Sequence, residues 1–181
     1  MTTEENLQEI LLELQEILKE INTAKTATAF DGSVFYRIVK EKKLFARLRQ
    51  DQVDGINAKI QSCQSARLPL SHAAYVLATS YHETAQRMLP VREGLAASDQ
   101  WRRRNLRYYP WYGRGDVQLT WKANYEKADE ELGLQGELVK NPDLALDKEV
   151  SAKVIVRGMS EGWFSGKIGR ASCRERVLAS V

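Results

Sequence analysis

The sequence predicts a mainly α domain with a small β element lining a cleft, preceded by an amphipathic N-terminal helix. Three observations carry this expectation. Apolar residues recur at steps of three and four along most of the chain, the period of a helix with one buried face. Pro69, Pro90 and Gly133 fall at the ends of such runs, where helices stop. Alternation, the period of a strand, is confined to one short stretch, Val117-Gln118-Leu119-Thr120. The 181 residues, 43% hydrophobic and 28% charged, suffice for one domain with a core and exclude wholesale disorder. A formal charge of +3 is compatible with an anionic polymer as partner without requiring one.

In chain order, Leu7, Ile10, Leu11, Leu14, Ile17, Leu18 and Ile21 form a helical stripe behind a capping box of Thr2 and Glu5. The stripe approximates heptads, so both packing on its own domain and homo-oligomerisation as a short coiled coil are open. Residues 1–30 hold this helix and a small-residue linker; residues 31–167 form the main domain. Helices are expected from about Val34 to Leu48, from Gln52 to Cys63, and from a Ser71 cap through His72 to Leu89 before Pro90. After the alternating stretch, Trp121, Tyr125, Ala128 and Leu132 mark a helix closed by Gly133, and Asn141-Pro142-Asp143 makes a turn. Asp147 then caps a helix bearing Val150, Val154, Ile155 and Met159. The run Ile168 to Val177 lacks an amphipathic period, and residues 168–181 read as a non-native tail in which Cys173 has no role. Cys63 reads as a free thiol, since two distant cysteines make neither a disulfide framework nor a metal site. Acidic residues stand where a secretory signal is basic, and no apolar run approaches a membrane span. The expected place of synthesis is the cytosol, with action on any cell-wall substrate after release.

Two carboxylates draw attention. Glu83 lies about 200° around its helix from Tyr81 and so points away from the apolar stripe, beside Val76, Thr79 and Arg87. It either forms an i to i+4 ion pair with Arg87 or lines a cleft, where partial desolvation would favour its protonated form. Glu93 follows on a loop, and one acid anchored on a helix with another on a loop is what glycoside hydrolysis requires. In the alternating stretch, a strand would bury Val117 and Leu119 and turn Gln118 and Thr120 together toward a ligand, while Gly113 and Gly115 permit a tight turn or close approach. The run Trp101 to Tyr112 interleaves arginines with aromatics. It suits a single-stranded nucleic acid, a polysaccharide, or an exposed basic loop whose aromatics fill the core.

Taken together, His82-Glu83-Thr84, then Glu93, then Tyr112-Gly113-Arg114-Gly115 leading to Gln118-Leu119-Thr120-Trp121 and Asn124-Tyr125, then Asn141-Pro142-Asp143-Leu144, resemble the family 19 glycoside hydrolases. These are the chitinase-like group within the lysozyme superfamily. Gln52 to Asn57 and Gly158 to Phe164 resemble its phage and prophage endolysin branch, and the likeness covers about Phe35 to Lys167. It implies a lysozyme-like fold that cleaves β-1,4 bonds of an N-acetylated amino-sugar polymer, without metal or cofactor. For the endolysin branch the polymer is peptidoglycan, with chitin the close alternative. Glu83 matches the general acid, Glu93 the second acidic residue and Thr120 the hydroxyl that helps hold the attacking water. His82, Tyr112, Arg114, Gln118, Trp121 and Asn124 are the expected substrate contacts. Two departures are expected from the family pattern: the arginine-rich insert is compact, which favours the cell-wall polymer, and the further helices that the family carries beyond Gly158 to Phe164 are not expected here. A non-catalytic wall-binding or nucleic-acid-binding remnant is therefore also open, although no specific nucleic acid and no membrane span are expected.

Overall fold

The computed structural model describes residues 10–16 and 30–164, and within them the fold is mainly α with one two-stranded antiparallel sheet. Residues 10–16 belong to a first helix, α1. It is followed by α2 (Gly32–Glu41), α3 (Gln50–Ser65), α4 (Leu70–Glu83), β1 (Val91–Arg92), α5 (Asp99–Asn105), β2 (Arg114–Gly115), α6 (Lys122–Leu132), α7 (Glu137–Lys140), a 3-10 turn (Pro142–Leu146) and α8 (Lys148–Glu161). The Thr2–Glu5 cap, the linker and the 168–181 tail lie outside the described residues.

Helix periodicity has its physical counterpart in three apolar clusters. Phe35, Ile38 and Val39 of α2 meet Ile56 and Ile60 of α3 and Ala74, Leu77 and Ala78 of α4. Leu14 joins them, with Ile10 and Leu11 alongside, so these three residues of the N-terminal stripe pack on the domain, while Leu7, Ile17, Leu18 and Ile21 lie outside the described residues. Leu119, Tyr125, Ala128, Leu138, Ala145 and Val154 form the second cluster around α6. Cys63, Val76, Ile155, Val156 and Met159 join α3, α4 and α8 in the third. Each large apolar side chain so buried contributes about 1.5–3 kcal/mol. Burial pushes the Cys63 thiol up to about 12, which makes it inert.

Several ends depart from expectation. α2 stops at Glu41 rather than Leu48, and Leu44, Phe45 and Leu48 reach the core from the connection that follows. α4 starts at Leu70 without a side-chain cap and ends at Glu83, short of Leu89. Thr84 explains the early stop: its hydroxyl donates to Ser80 O at 2.6 Å and accepts from Met88 N at 2.9 Å, replacing helical bonds with a tight turn. Ala85, Gln86 and Met88 then take positive φ of 49°, 64° and 56°. Helix α3 pins this segment, with Gln52 Nε2 donating to Gln86 O and Lys59 Nζ to Met88 O. Gly55 makes the approach possible, because a Cβ there would lie 1.9 Å from Met88 O. The predicted ends at Gly133 and Asp147 are found: Gly133 closes α6 at φ 65°, and Asp147 accepts from Glu149 N and Val150 N to cap α8, worth about 1 kcal/mol.

The expected strand through Val117 to Thr120 is instead a turn. β2 covers only Arg114 and Gly115, paired with Arg92 and Val91, and the chain folds back so that Arg114 and Leu119 exchange backbone hydrogen bonds. Asp116 is buried at this turn. Its carboxylate lies 2.8 Å from Lys59 Nζ, both side chains fully buried, and takes hydrogen bonds from Ser80 and Ser151. Burial pushes the Lys59 ammonium below its ordinary value against the pull of Asp116. This pair joins α3, α4, α8 and the β2 turn in one polar knot inside an otherwise apolar interior. Among the described residues no helix is long and apolar enough to cross a membrane.

Candidate active site

Glu83 and Glu93 stand at opposite ends of the pinned segment and differ in how they are held. Glu83 is the last residue of α4 and is exposed, with no hydrogen bond or ion pair among the described residues. Neither the Arg87 pair nor the expected desolvation is found, because the helix ends at Glu83 and Arg87 belongs to the turn beyond it. His82 beside it is half-buried.

Glu93 is half-buried and gripped. Its Oε1 accepts from the Tyr108 hydroxyl at 2.6 Å and its Oε2 from Gly113 N at 2.9 Å. Its backbone extends the β1–β2 pairing, with Glu93 N donating to Gly113 O, and Arg102 of α5 donates to the carbonyls of Glu93 and Gly94. Gly113 lets two side chains converge. A Cβ there would meet Gln118 Oε1 at 2.7 Å and Glu93 Oε2 at 3.1 Å, so the Gln118 amide and the Glu93 carboxylate share that space.

The remaining predicted contacts divide by exposure. Trp121 is 46% exposed, with a positive φ of 75°, and Arg107 sits over its ring. Asn124 is exposed and donates to Thr120 O. Thr120 is half-buried, and its hydroxyl donates to Gln118 O at 2.6 Å, which leaves the oxygen lone pairs as acceptors. Gln118 is half-buried and its Nε2 donates to Val91 O and Gly115 O. Tyr112 and Arg114 do not fit the expected contact role, being only 0% and 4% exposed. The Tyr112 hydroxyl accepts from Arg92, and the Arg114 guanidinium lies 3.6 Å from the Tyr112 ring centre while bonding Asp143, Pro110 O, Tyr112 O and Tyr125. These two residues hold the β2 turn from inside rather than presenting themselves to a ligand. Burial would raise the Asp143 carboxyl, but the hydrogen bonds of Arg92 and Arg114 outweigh it and hold the group below the ordinary range.

Sequence reasoning passed over Tyr108, Arg102 and the Lys59–Asp116 pair. The first two lay in a run flagged for composition, which carried no signal of partner choice. A charged residue between Gly115 and apolar Val117 was the only hint of the third. A surface groove on α3, lined by Asn57, Gln61, Gln64 and Arg67, includes neither glutamate. Among the described residues no group of three or more His, Cys, Asp or Glu is placed to hold a metal ion.

A mainly helical domain bearing two glutamates either side of a short pinned segment has the residue types that acid–base glycosidases use. The chitinase class I family, glycoside hydrolase family 19, matches residues 69–179, and the chain belongs to that family. It is 38% identical to the acidic 26 kDa endochitinase of Solanum lycopersicum over 69 residues, 38% of this chain and 26% of that protein. It is 40% identical to chitinase 8 of Oryza sativa subsp. japonica over 70 residues, 38% of this chain and 24% of the other. Likeness extends to the inactive chitinase-like protein 1 of Hevea brasiliensis, 36% identical over 68 residues, 37% of this chain and 20% of that one. The chain thus spans about a quarter of the length of these relatives. No solved structure matches it.

Proposed function

We propose that the protein hydrolyses β-1,4 bonds in a chitin-type polymer of N-acetylated amino sugars. The observation that carries this reading is the unequal holding of the two glutamates, Glu83 without a hydrogen bond or ion pair among the described residues and Glu93 fixed at both oxygens. Glu83 reaches the glycosidic oxygen and donates its proton as the bond breaks. Glu93, still with unused lone pairs, takes a proton from water attacking the opposite face of the sugar, which inverts the anomeric centre. Thr120 Oγ1, with its own proton committed to Gln118 O, accepts a hydrogen bond from that water. Trp121, about half exposed, offers ring surface to a sugar, and the exposed Asn124 follows it on α6. The names of the relatives, endochitinase and chitinase, support chitin as the polymer.

A second reading takes bacterial peptidoglycan as substrate, the chain then standing with the phage endolysins. The observation that favours it is basic: Arg103, Arg104 and Arg107 are exposed on and after α5, whose Arg102 holds the Glu93 backbone. Arginines there suit the carboxylates of wall peptides and muramyl groups. Wild type and E83Q incubated with colloidal chitin and with purified peptidoglycan decide both questions. Soluble N-acetylglucosamine oligomers released only by wild type support chitin, muropeptides support the second reading, and equal release by both proteins removes Glu83 from the mechanism.

A further inference from the structure

We propose that Tyr108 is the positioning residue that aims the Glu93 carboxylate, an inference that rests on the role of Glu93 given above. Three tyrosines lie in the segment before β2, and they are spent differently. Tyr109 O–H donates to Asp99, and the Tyr112 hydroxyl is occupied by Arg92 in the interior. Tyr108 alone of the three meets Glu93, at 2.6 Å, the short distance of a hydroxyl bonded to a carboxylate.

The geometry gives this contact a specific task. Gly113 N holds Oε2, but a single donor leaves the carboxylate free to swing about that bond. The phenol on Oε1 removes the swing, and each oxygen keeps a lone pair for water. Tyr108 is itself placed by an edge-on contact with Trp121, ring centres 4.9 Å apart at 60°, and Trp121 holds a backbone conformation that few non-glycine residues adopt. A sugar ring on the exposed face of Trp121 would therefore press on the residue that orients the base. Hydrogen bonding to Glu93 also raises the Tyr108 phenol above its ordinary value, with Arg107 pulling the other way, so the contact can be observed without substrate.

The test combines Y108F with a phenol titration. Ultraviolet titration of wild type, E93A and Y108F is expected to show one tyrosine ionising at lower pH once Glu93 is removed, and that tyrosine missing from Y108F. On the polymer that wild type hydrolyses, Y108F is expected to lose about tenfold in kcat, the worth of one hydrogen bond, with KM unchanged and a fall in melting temperature smaller than that of E93A, which loses the acceptor of Gly113 N as well. A tyrosine titration indifferent to E93A would overturn the contact. A raised KM with kcat intact would make Tyr108 a sugar contact instead, and a lowered melting temperature with kcat intact would make it structural. Wild type inactive on both polymers, with the titration shift present, would count against the glycosidase reading and leave Tyr108 as a partner of Glu93 without a catalytic task, which also ends the proposal.

Discussion

The two glutamates compare as a free acid and a held one. Glu83 sits where a helix ends and its carboxylate meets solvent, while Glu93 is bound by Tyr108, Gly113 and, through its backbone, Arg102. Under the proposed roles, a proton donor must follow the leaving oxygen and a base must hold one line of attack, so the looser holding of Glu83 and the tighter holding of Glu93 would suit those two tasks. The segment between them is rigid for a third reason. Lys59, Gln52 and Thr84 hold Met88 and Gln86, so the spacing between the acids is set by α3 rather than by either acid.

Substitutions can break this contrast. The largest expected effect is on E83Q, about 10²–10⁴-fold in turnover on the polymer that wild type degrades, with a melting temperature equal to wild type because Glu83 is exposed and makes no hydrogen bond or ion pair among the described residues. Next comes K59M, which strands the Asp116 carboxylate and costs about 3–5 kcal/mol, read by urea unfolding. G55A drives a methyl into Met88 O and is expected to cost about 1–3 kcal/mol or more, lowering turnover as well because it moves the segment between the acids. E93A is expected to destabilise by about 1–3 kcal/mol, since Tyr108 O–H and Gly113 N–H lose their acceptor; an unchanged melting temperature there would erase the contrast with Glu83.

The smallest effect sharpens the supporting layer behind Glu93. Because Asp143 ionises more readily folded than unfolded, its contribution is complete above the ordinary Asp range near about 3.9 and is lost as pH falls from there toward the depressed folded value. Melting temperature against pH is expected to fall less steeply on the acid side in D143N than in wild type. An identical acid slope would mean that the Arg92 and Arg114 bonds to Asp143 contribute nothing to folding.

How much was legible shows best residue by residue. The apolar steps of α2, α3, α6 and α8, the Gly133 and Asp147 ends, and the ordered motifs carrying Glu83 and Glu93 could all be read directly. The end of α4 could not, because a threonine side chain replaced the helical bonds there. Nor could the turn at Asp116, where alternation of Val117 and Leu119 pointed to a strand and a buried lysine decided otherwise.

Periodicity and capping are local, carried by side chains within a turn or two of one another, so the sequence by itself determined the mainly α character, most helix positions and the family. Partner choice is not local. Tyr108 reaches Glu93 across 15 residues and Ser80 reaches Asp116 across 36. Only the packed tertiary structure decided that Tyr112 and Arg114 would be buried as support, that Lys59 would neutralise Asp116, and that one glutamate would be gripped while the other stayed free. The reason is that burial forces every polar group to find a partner, and the partner is whichever group the packing of distant helices brings within reach.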